Sequence, residues 1–193
     1  DLNFQAGVFV NHMTNMIVEV PGKFIYKAFT GISEYTIDTL PALINSNVSR
    51  ALLYGFDYEF EYNFYNNFVL FSTGSYVWGK DTEAGENLPL IPPLRGRLGL
   101  RYTRHGIASA ELIVTGVSRQ AKIAQGEKET EGYIRLDMIV SSDNIKIGKT
   151  GLQLFAGIDN ILDKSYTNHL STNRGSISVE PGRNFYLRLN FSF

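Results

Sequence analysis

The feature that most limits the fold of this chain is a regular alternation of apolar and polar residues within single segments. Between residues 48 and 62, large aliphatic and aromatic residues occupy every second position from Leu52 to Tyr62. The positions between them carry the acidic residues Asp57, Glu59 and Glu61. Because successive side chains of a β-strand point to opposite faces of a sheet, this segment is predicted to be a strand with one apolar and one charged face.

The same alternation recurs along the chain and predicts an all-β fold. It is clear at 94–103, 133–141, 152–159 and 184–193. The polar positions of these segments include Arg97, Arg101, Arg135, Asp137, Asp159 and Arg188. Segments 2–20, 67–78 and 106–119, the last containing Glu111, have strand-forming composition with a less regular pattern. No segment has the apolar spacing of an amphipathic helix of normal length, so we expect about eight antiparallel strands.

The connections between the predicted strands alternate between short and long. Short connections are predicted at 63–67, 104–106 and 148–151. Long, polar or Gly-rich and Pro-rich connections are predicted at 21–47, 79–92, 120–132 and 162–182. Outer-membrane β-barrels have short turns on the periplasmic side and long loops outside. If the last strand ends in the periplasm, every long connection is an external loop.

A soluble β-sandwich is the main alternative for such a pattern. Three observations disfavour it. The predicted strands, at roughly ten to fifteen residues, exceed the usual length in soluble sheets and match a tilted crossing of a ~25 Å apolar band. Charges at mid-strand suit a wet or plugged lumen, and aromatic residues such as Tyr102 and Trp78 gather near the strand ends, as in interfacial girdles. The sequence therefore favours a transmembrane barrel, in which every backbone group is paired.

Composition excludes several functional classes. The chain has no cysteine, which excludes disulfides, thiolate zinc sites and cysteine nucleophiles. A formal net charge of −1 gives no reason to expect a nucleic-acid partner. No apolar run approaches the length of a transmembrane helix, and no local signature supports an enzyme or a bound cofactor. The segment 1–4 lacks the features of a signal peptide and resembles the interior of a strand, so we expect the chain to begin upstream.

The chain has three histidines, and imidazole is a common metal ligand. His12, His105 and His169 are scattered and do not have metal-ligand spacing. His169 lies in the last predicted long loop, where it is a candidate to ligate haem iron. The alternative is that His169 is an ordinary loop residue.

Several longer motifs carry a family resemblance. The segments GIDNILDKSY at 157–166 and PGRNFYLRLNFSF at 181–193 resemble the closing hairpin of TonB-dependent outer-membrane receptors. The segment ENLPLIPPLRGRLGLRY at 86–102 is similar to the Pro-Pro-rich loop and following strand of that family. LLYGFDYEFEYNF at 52–64 resembles its Gly-(apolar)-(acidic)-x-Glu strand. The resemblance covers nearly the whole chain in order.

The resemblance implies a fold and a function. In that family a barrel of about 22 strands encloses a plug, so residues 1–193 are expected to form the C-terminal arc of the wall, without the plug domain. It further implies the bacterial outer membrane and import of a scarce ligand such as a ferric siderophore, haem or cobalamin. The expected partners are outer-membrane lipid, the barrel insertion machinery, the ligand, and TonB through a region outside this chain.

Two other classes stay open at this point. The runner-up is a self-contained barrel of about eight strands that acts as a structural anchor or adhesin. A soluble binding module is third. The gene upstream of Asp1 discriminates the first two, since a plug domain favours the receptor and an adjacent signal peptide favours the small barrel.

The predicted lumen-facing charges and the last residue are the remaining candidates. The charges are Asp57, Glu59, Glu61, Arg97, Arg101, Glu111, Arg135, Asp137, Asp159 and Arg188. Cross-strand pairing would neutralise them structurally, whereas the functional alternative is contact with the plug or the passing ligand. Phe193 resembles the C-terminal aromatic signal that the insertion machinery reads, and it also completes an aromatic girdle.

Overall fold

The computed structural model describes residues 1–31, 34–175 and 177–192. These residues form an all-β structure, as predicted. The strands are β1 (Leu2–Phe29), β2 (Tyr35–Tyr65), β3 (Phe68–Asp81), β4 (Arg95–Arg104), β5 (Ala108–Val117), β6 (Tyr133–Ser142), β7 (Ile145–Ile147), β8 (Thr150–Asp159) and β9 (Asn184–Ser192). One short helix, α1 (His169–Asn173), lies between β8 and β9. No helix of the described residues is long and apolar enough to cross a membrane.

All strands of the described residues belong to one antiparallel sheet, in which strands pair in chain order except that β6 pairs with β8. β6 and β7 are successive pieces of one position, because both pair with β8, and β9 pairs with the other side of β8. The sheet thus has the predicted number of positions. Among the described residues β1 and β9 do not pair with each other, so the sheet is an open arc.

The strand register assigns each side chain to one of two faces. For example, Glu59, Thr73 and Arg97 are directly opposite one another on β2, β3 and β4. The ten charges named above all lie on this face, which we call the charged face. The other, apolar face exposes 51 % of Leu98, 61 % of Ile134 and 70 % of Leu187. A continuous exposed apolar face of this kind is typical of a surface in contact with lipid.

Aromatic side chains lie near both ends of the strands. Phe68 and Tyr102 pack with ring centroids 4.9 Å apart, next to the short β2–β3 and β4–β5 turns. Toward the opposite end, Tyr54 and Trp78 pack at 4.7 Å. Rings at these levels match the expected interfacial girdles, where an apolar ring and a polar tip are both accommodated.

The prediction of a long loop at 21–47 was wrong. β1 continues to Phe29 and β2 begins at Tyr35, so most of this segment is a regular antiparallel ladder. β3 pairs with β2 only as far as Ala51, which leaves residues 16–29 and 34–48 as a projecting hairpin roughly 45 Å long. Because many of its residues are exposed on both faces, the hairpin needs no apolar alternation, and the sequence pattern therefore missed it.

The alternation changes at the base of the projecting hairpin. Asn15 has a positive φ of 54°, in the left-handed region that Asn tolerates. Met13 and Met16, which lie on either side of it, both pack against the same buried cluster. The cluster contains Val18, Val48, Ala51 and Leu88. In the projecting hairpin, even-numbered residues therefore face the side that odd-numbered residues face in the wall.

Candidate functional site

The best-paired charge of the charged face is Arg101. Its Nε donates to Glu111 Oε1 at 2.6 Å across the β4–β5 pair, and its Nη1 lies 3.9 Å from Glu61 Oε2 on β2. The guanidinium also lies over the Phe71 ring, 5.2 Å from its centroid. Gly99 leaves the room that this ring occupies, since a Cβ there would overlap it. The cross-strand pairing expected around Glu111 is thus present.

A second group of charges is separated by small residues. Asp57 and Glu59 lie on β2 and Arg97 lies on β4, with Thr73, Gly74 and Ser75 of β3 between them. No salt bridge joins these three charges to one another in the part of the chain that the structure describes. The small side chains leave an open groove of about 390 Å³ between the acidic and the basic side.

A third group of charges lies on β6. Arg135 donates from Nε to Asp137 Oδ2 at 3.0 Å and from Nη1 to the Tyr166 hydroxyl at 3.0 Å. The Tyr166 ring packs on Tyr133 with centroids 4.2 Å apart. Asp137 is buried, and its Oδ1 accepts the backbone N–H of Asn160 at 2.8 Å. These contacts attach the start of the last long loop to the wall.

The two remaining predicted charges lie on the last strand pair. The Arg188 guanidinium stacks over the Phe155 ring at 4.4 Å from its centroid, and the two residues are directly opposite in the β8–β9 ladder. Asp159 ends β8 opposite Asn184. Both therefore lie on the charged face, as the alternation predicts.

The Asn-Ile-Leu-Asp motif forms a fixed turn after β8. Asn160 is 1 % exposed and has a φ of 53°. Its amide accepts from Lys164 N at 2.9 Å and donates to Lys164 O at 2.9 Å and to Pro181 O at 3.4 Å. Asp163, with a φ of 51°, accepts the N–H of Arg183 at 2.8 Å, and Arg183 Nε donates to Ile161 O at 2.8 Å. The residues that carried the resemblance therefore join the two ends of the 160–183 connection.

Three connections are tied together at the end of the sheet opposite the short turns. We call residues 82–94, 118–132 and 160–183 the loop assembly. Glu127 is buried at its centre, where Oε1 accepts Leu90 N at 2.6 Å and Oε2 accepts Ala124 N at 2.9 Å. Leu90 has a φ of 58°, which is strained for a bulky residue. The buried Gln120 donates from Nε2 to Ile91 O at 2.8 Å.

His169 lies inside the loop assembly. Asn173 joins α1 to residue 128 by two hydrogen bonds, from Lys128 N at 2.6 Å and to Lys128 O at 3.0 Å. The His169 Nδ1 lies 3.2 Å from Thr130 Oγ1 and 3.1 Å from Asn173 Nδ2. Its Nε2 has no hydrogen-bond partner among the described residues and lies 3.9 Å from Glu127 Oε1. Burial lowers the pKa of His169, and the nearby Glu127 carboxylate raises it by a smaller amount.

These contacts give His169 a packing role between loops. Ligand contact by His169 stays a prediction. His12 is exposed on β1 and His105 lies in the short β4–β5 turn. No group of three or more His, Cys, Asp or Glu side chains suited to a metal ion occurs within 1–31, 34–175 and 177–192. Phe193 lies outside the described residues.

Sequence reasoning did not identify Gln120, Glu127 or Asn173. Each is a polar residue in a polar connection, and nothing in composition separates a buried loop residue from a solvated one. Their importance arises only when three distant connections meet. The one available signal is that loops longer than about 12 residues without regular structure are usually functional or internally bonded.

The projecting hairpin and two connections of the loop assembly, 82–94 and 118–132, line an open cavity of about 480 Å³. Leu88 closes its floor by packing against Val18 and Val48 of the hairpin. Ala124 and Gln125 of the 118–132 connection line the other side. We call this space the mouth cavity, because it lies at the end of the wall from which the long connections emerge.

The geometry defines the class of protein. A single antiparallel sheet with an apolar outer face, a charged opposite face, short turns at one end and long connections at the other is the wall of an outer-membrane β-barrel. That the charged face is directed toward the lumen stays a prediction.

The comparisons with known proteins give the family. Residues 1–161 match the family model described as TonB dependent receptor-like, beta-barrel. Among solved structures the chain is similar to "Copper transporter OprC", with 26 % identity, a TM-score of 0.76 and coverage of 100 % of this chain and 29 % of that one. It is also similar to the siderophore receptor PirA from Acinetobacter baumannii, with 20 % identity, a TM-score of 0.64 and coverage of 100 % and 30 %. No curated protein sequence matches it.

The chain therefore belongs to the TonB-dependent receptor β-barrel family. The protein is a bacterial outer-membrane protein, and the family is one of non-enzymatic barrels, as predicted. The chain spans about 30 % of the length of these solved structures, so the sheet is a partial arc of a larger barrel. This argues against the self-contained small barrel, since β1 and β9 do not pair within the part of the chain that the structure describes, and unpaired strand edges are costly in hydrocarbon.

Proposed function

We propose that this chain is part of the wall of a TonB-dependent uptake receptor whose ligand is a metal ion or a metal complex. The observation that carries the proposal is the loop assembly, which holds three long connections in fixed positions over one end of a charged wall. A fixed external mouth lowers the entropy cost of ligand binding. A barrel that served only as an anchor has no need of buried polar contacts between its loops.

The ligand class rests on the solved structures. One is titled a copper transporter and the other a siderophore receptor, so both names involve a transition metal or its carrier. Ferric siderophores were expected from the sequence, with haem and cobalamin as further possibilities. Copper joins this set, since the relative with the copper title has 26 % identity to the chain.

The charged face has a role in this proposal. Charges that pair within the wall, such as Arg101 with Glu111, offset each other's charge within the sheet. Asp57, Glu59 and Arg97 are not paired with one another and border an open groove. We assign them to contacts with the plug domain expected in the full-length protein, or with the passing ligand.

A growth test distinguishes the candidate ligands. A strain lacking the full-length gene is grown with a single source of ferric siderophore, haem, cobalamin or limiting copper, and each culture is repeated in a strain without TonB. The proposal expects one source whose use requires both genes. Uptake that is unaffected by either deletion for every source contradicts it.

The terminal residue supports assembly in the same proposal. Phe193 follows an alternating apolar stripe that includes Leu187, Leu189 and Phe191. We propose that the insertion machinery reads this end of the chain. Deletion of Phe193 from the full-length receptor is expected to lower the amount of heat-modifiable barrel in the outer membrane, and an unchanged amount contradicts the assignment.

A further inference from the structure

The mouth cavity lies on the same side of the sheet as the charged face. In the wall, odd-numbered residues of β2 such as Asp57 point to the charged face. Beyond Asn15, which has a positive φ, Val18 and Val48 pack in one buried cluster with Ala51 of the wall and with Leu88. The cavity is therefore at the lumen entrance and faces away from the lipid.

The walls of the mouth cavity are held in place by hydrogen bonds. The Asp81 carboxylate accepts the N–H groups of Glu83 at 2.8 Å and Ala84 at 2.9 Å, and Asp81 N donates to Glu86 O at 2.8 Å. This turn returns the chain along β3, where Asn87 forms a bridge with Lys80. Asn87 Nδ2 then donates to Ile123 O at 3.2 Å in the neighbouring connection. The cavity is thus formed before a ligand arrives.

The lining has an uneven charge. The floor is apolar and includes Val18, Val48 and Leu88, while the rim carries the carboxylates of Asp81 and Glu86. No lysine or arginine of the described residues lines the cavity. A ligand with several negative charges would be repelled by the negative charge of Asp81 and Glu86 at the rim. A neutral or positively charged ligand with apolar surface is complementary to it.

We infer that the mouth cavity is the first docking site for a neutral or cationic metal complex with apolar surface, and that it rejects polyanionic complexes. This inference rests on the proposed function and narrows its ligand class. A volume of about 480 Å³ fits part of such a complex and lies within the range usual for small-molecule sites. The charge preference would come from Glu86, whose backbone is fixed by the turn and whose side chain is exposed at the rim.

Binding to the purified full-length receptor tests the charge preference. The probes are a cationic ferric trihydroxamate, a neutral ferric trihydroxamate and a trianionic ferric tricatecholate, and affinity is measured by calorimetry in detergent. We expect the two hydroxamate complexes to bind at least about tenfold more tightly than the tricatecholate. Tighter binding of the tricatecholate, or binding of none of the probes, overturns the inference.

Two charge reversals on one turn distinguish the charge of the cavity lining from the net charge of the surrounding surface. Glu86→Lys changes a residue that lines the cavity, whereas Glu83→Lys makes the same change on the same turn outside the lining. Glu86→Lys should weaken binding of the cationic complex about tenfold, and Glu83→Lys should change it about twofold or less. Equal effects of the two variants overturn the assignment to the cavity.

A second pair tests the space itself. Gln125→Trp fills the cavity from the 118–132 connection, and Ala121→Trp adds the same ring to an exposed position of that connection outside the lining. Only Gln125→Trp should reduce binding of the hydroxamate complexes. Binding that is intact in both variants, or lost in both, contradicts docking in this cavity. If the probes bind as expected but growth on them does not require TonB, the proposed transport function fails and the docking site stands.

Discussion

The wall and the loop assembly of this protein are stabilised in different ways. In the wall, backbone ladders join every pair of neighbouring strands, and the side chains divide into an apolar and a charged face. In the loop assembly, a few buried polar side chains hold distant backbone segments, chiefly Gln120, Glu127, Asn160 and Asn173. The fold of the wall therefore depends on many residues, whereas the loop assembly depends on a few buried polar side chains.

This difference predicts unequal sensitivity to substitution. Removing one side chain from the wall leaves the ladder intact. Removing one buried polar side chain from the assembly leaves several backbone groups without partners, and each unsatisfied buried group costs about 1–3 kcal/mol.

The largest effect is expected for Asn160→Ala. The substitution removes three hydrogen bonds to Lys164 and Pro181 and places alanine at a φ of 53°. We expect it to lower the free energy of unfolding of the full-length receptor by about 3 kcal/mol. The measurement is urea-induced unfolding in lipid vesicles. Asn190→Ala on β9 is the control, because no side-chain hydrogen bond of Asn190 is seen among the described residues, and equal losses in the two variants would contradict the comparison.

Glu127→Ala is expected to loosen the loop assembly without disturbing the wall. It leaves Leu90 N and Ala124 N unpaired and removes the contact that holds the strained Leu90 backbone. We expect a local destabilisation of about 2 kcal/mol, measured as faster hydrogen exchange in residues 82–94 and 118–132. The exposed Glu129, which pairs with Arg119, provides the control Glu129→Ala. Unchanged exchange in Glu127→Ala refutes the central role of this carboxylate.

Acid is expected to weaken the loop assembly through His169. Burial lowers the pKa of His169 in the folded state, so below the ordinary pKa of about 6.5 the unfolded loops bind a proton that the packed loops exclude. The stabilisation is therefore complete above that pH and is lost as the pH falls toward the folded pKa. Hydrogen exchange of residues 160–183, corrected for intrinsic rates, should rise between pH 7.5 and 5, and His169→Gln should flatten this dependence. An identical pH dependence in the variant counts against His169.

The smallest effect is expected for the Arg101–Glu111 pair of the wall. The two side chains are 35 % and 24 % exposed, so solvent screens their attraction, although they meet at 2.6 Å. A double-mutant cycle with Arg101→Ala and Glu111→Ala is expected to give a coupling free energy of about 0.5–1 kcal/mol. A coupling free energy larger than the loss of unfolding free energy expected for Asn160→Ala would contradict the ranking, in which the loop assembly is more sensitive to substitution than the wall.

The sequence predicted the wall well and the loop assembly poorly. The alternation of Asp57, Glu59 and Glu61 with aromatic residues was enough to assign a strand and its two faces, because successive side chains of a strand point to opposite sides of the sheet. The projecting hairpin was missed because many of its residues are exposed on both faces. Since neither face has to be apolar, its sequence shows no two-residue alternation of apolar and polar residues. Glu127 was missed because its burial depends on two connections far away in the chain. The apolar–polar alternation of a strand can be recognised from neighbouring residues alone. Contacts between loops that are distant in the chain produce no such pattern in the sequence.

The central claim is that the two faces of the wall lie in different media. Single nitroxide labels at Phe56, Leu136 and Leu189 on the apolar face, and at Ser75 and Asn190 on the charged face, can be compared in the full-length receptor in lipid bilayers. The account predicts that molecular oxygen relaxes the labels on the apolar face and that a water-soluble nickel chelate does not. The labels on the charged face should be relaxed by the nickel chelate more than by oxygen, or be protected from both reagents. Greater nickel accessibility on the apolar face than on the charged face would contradict it.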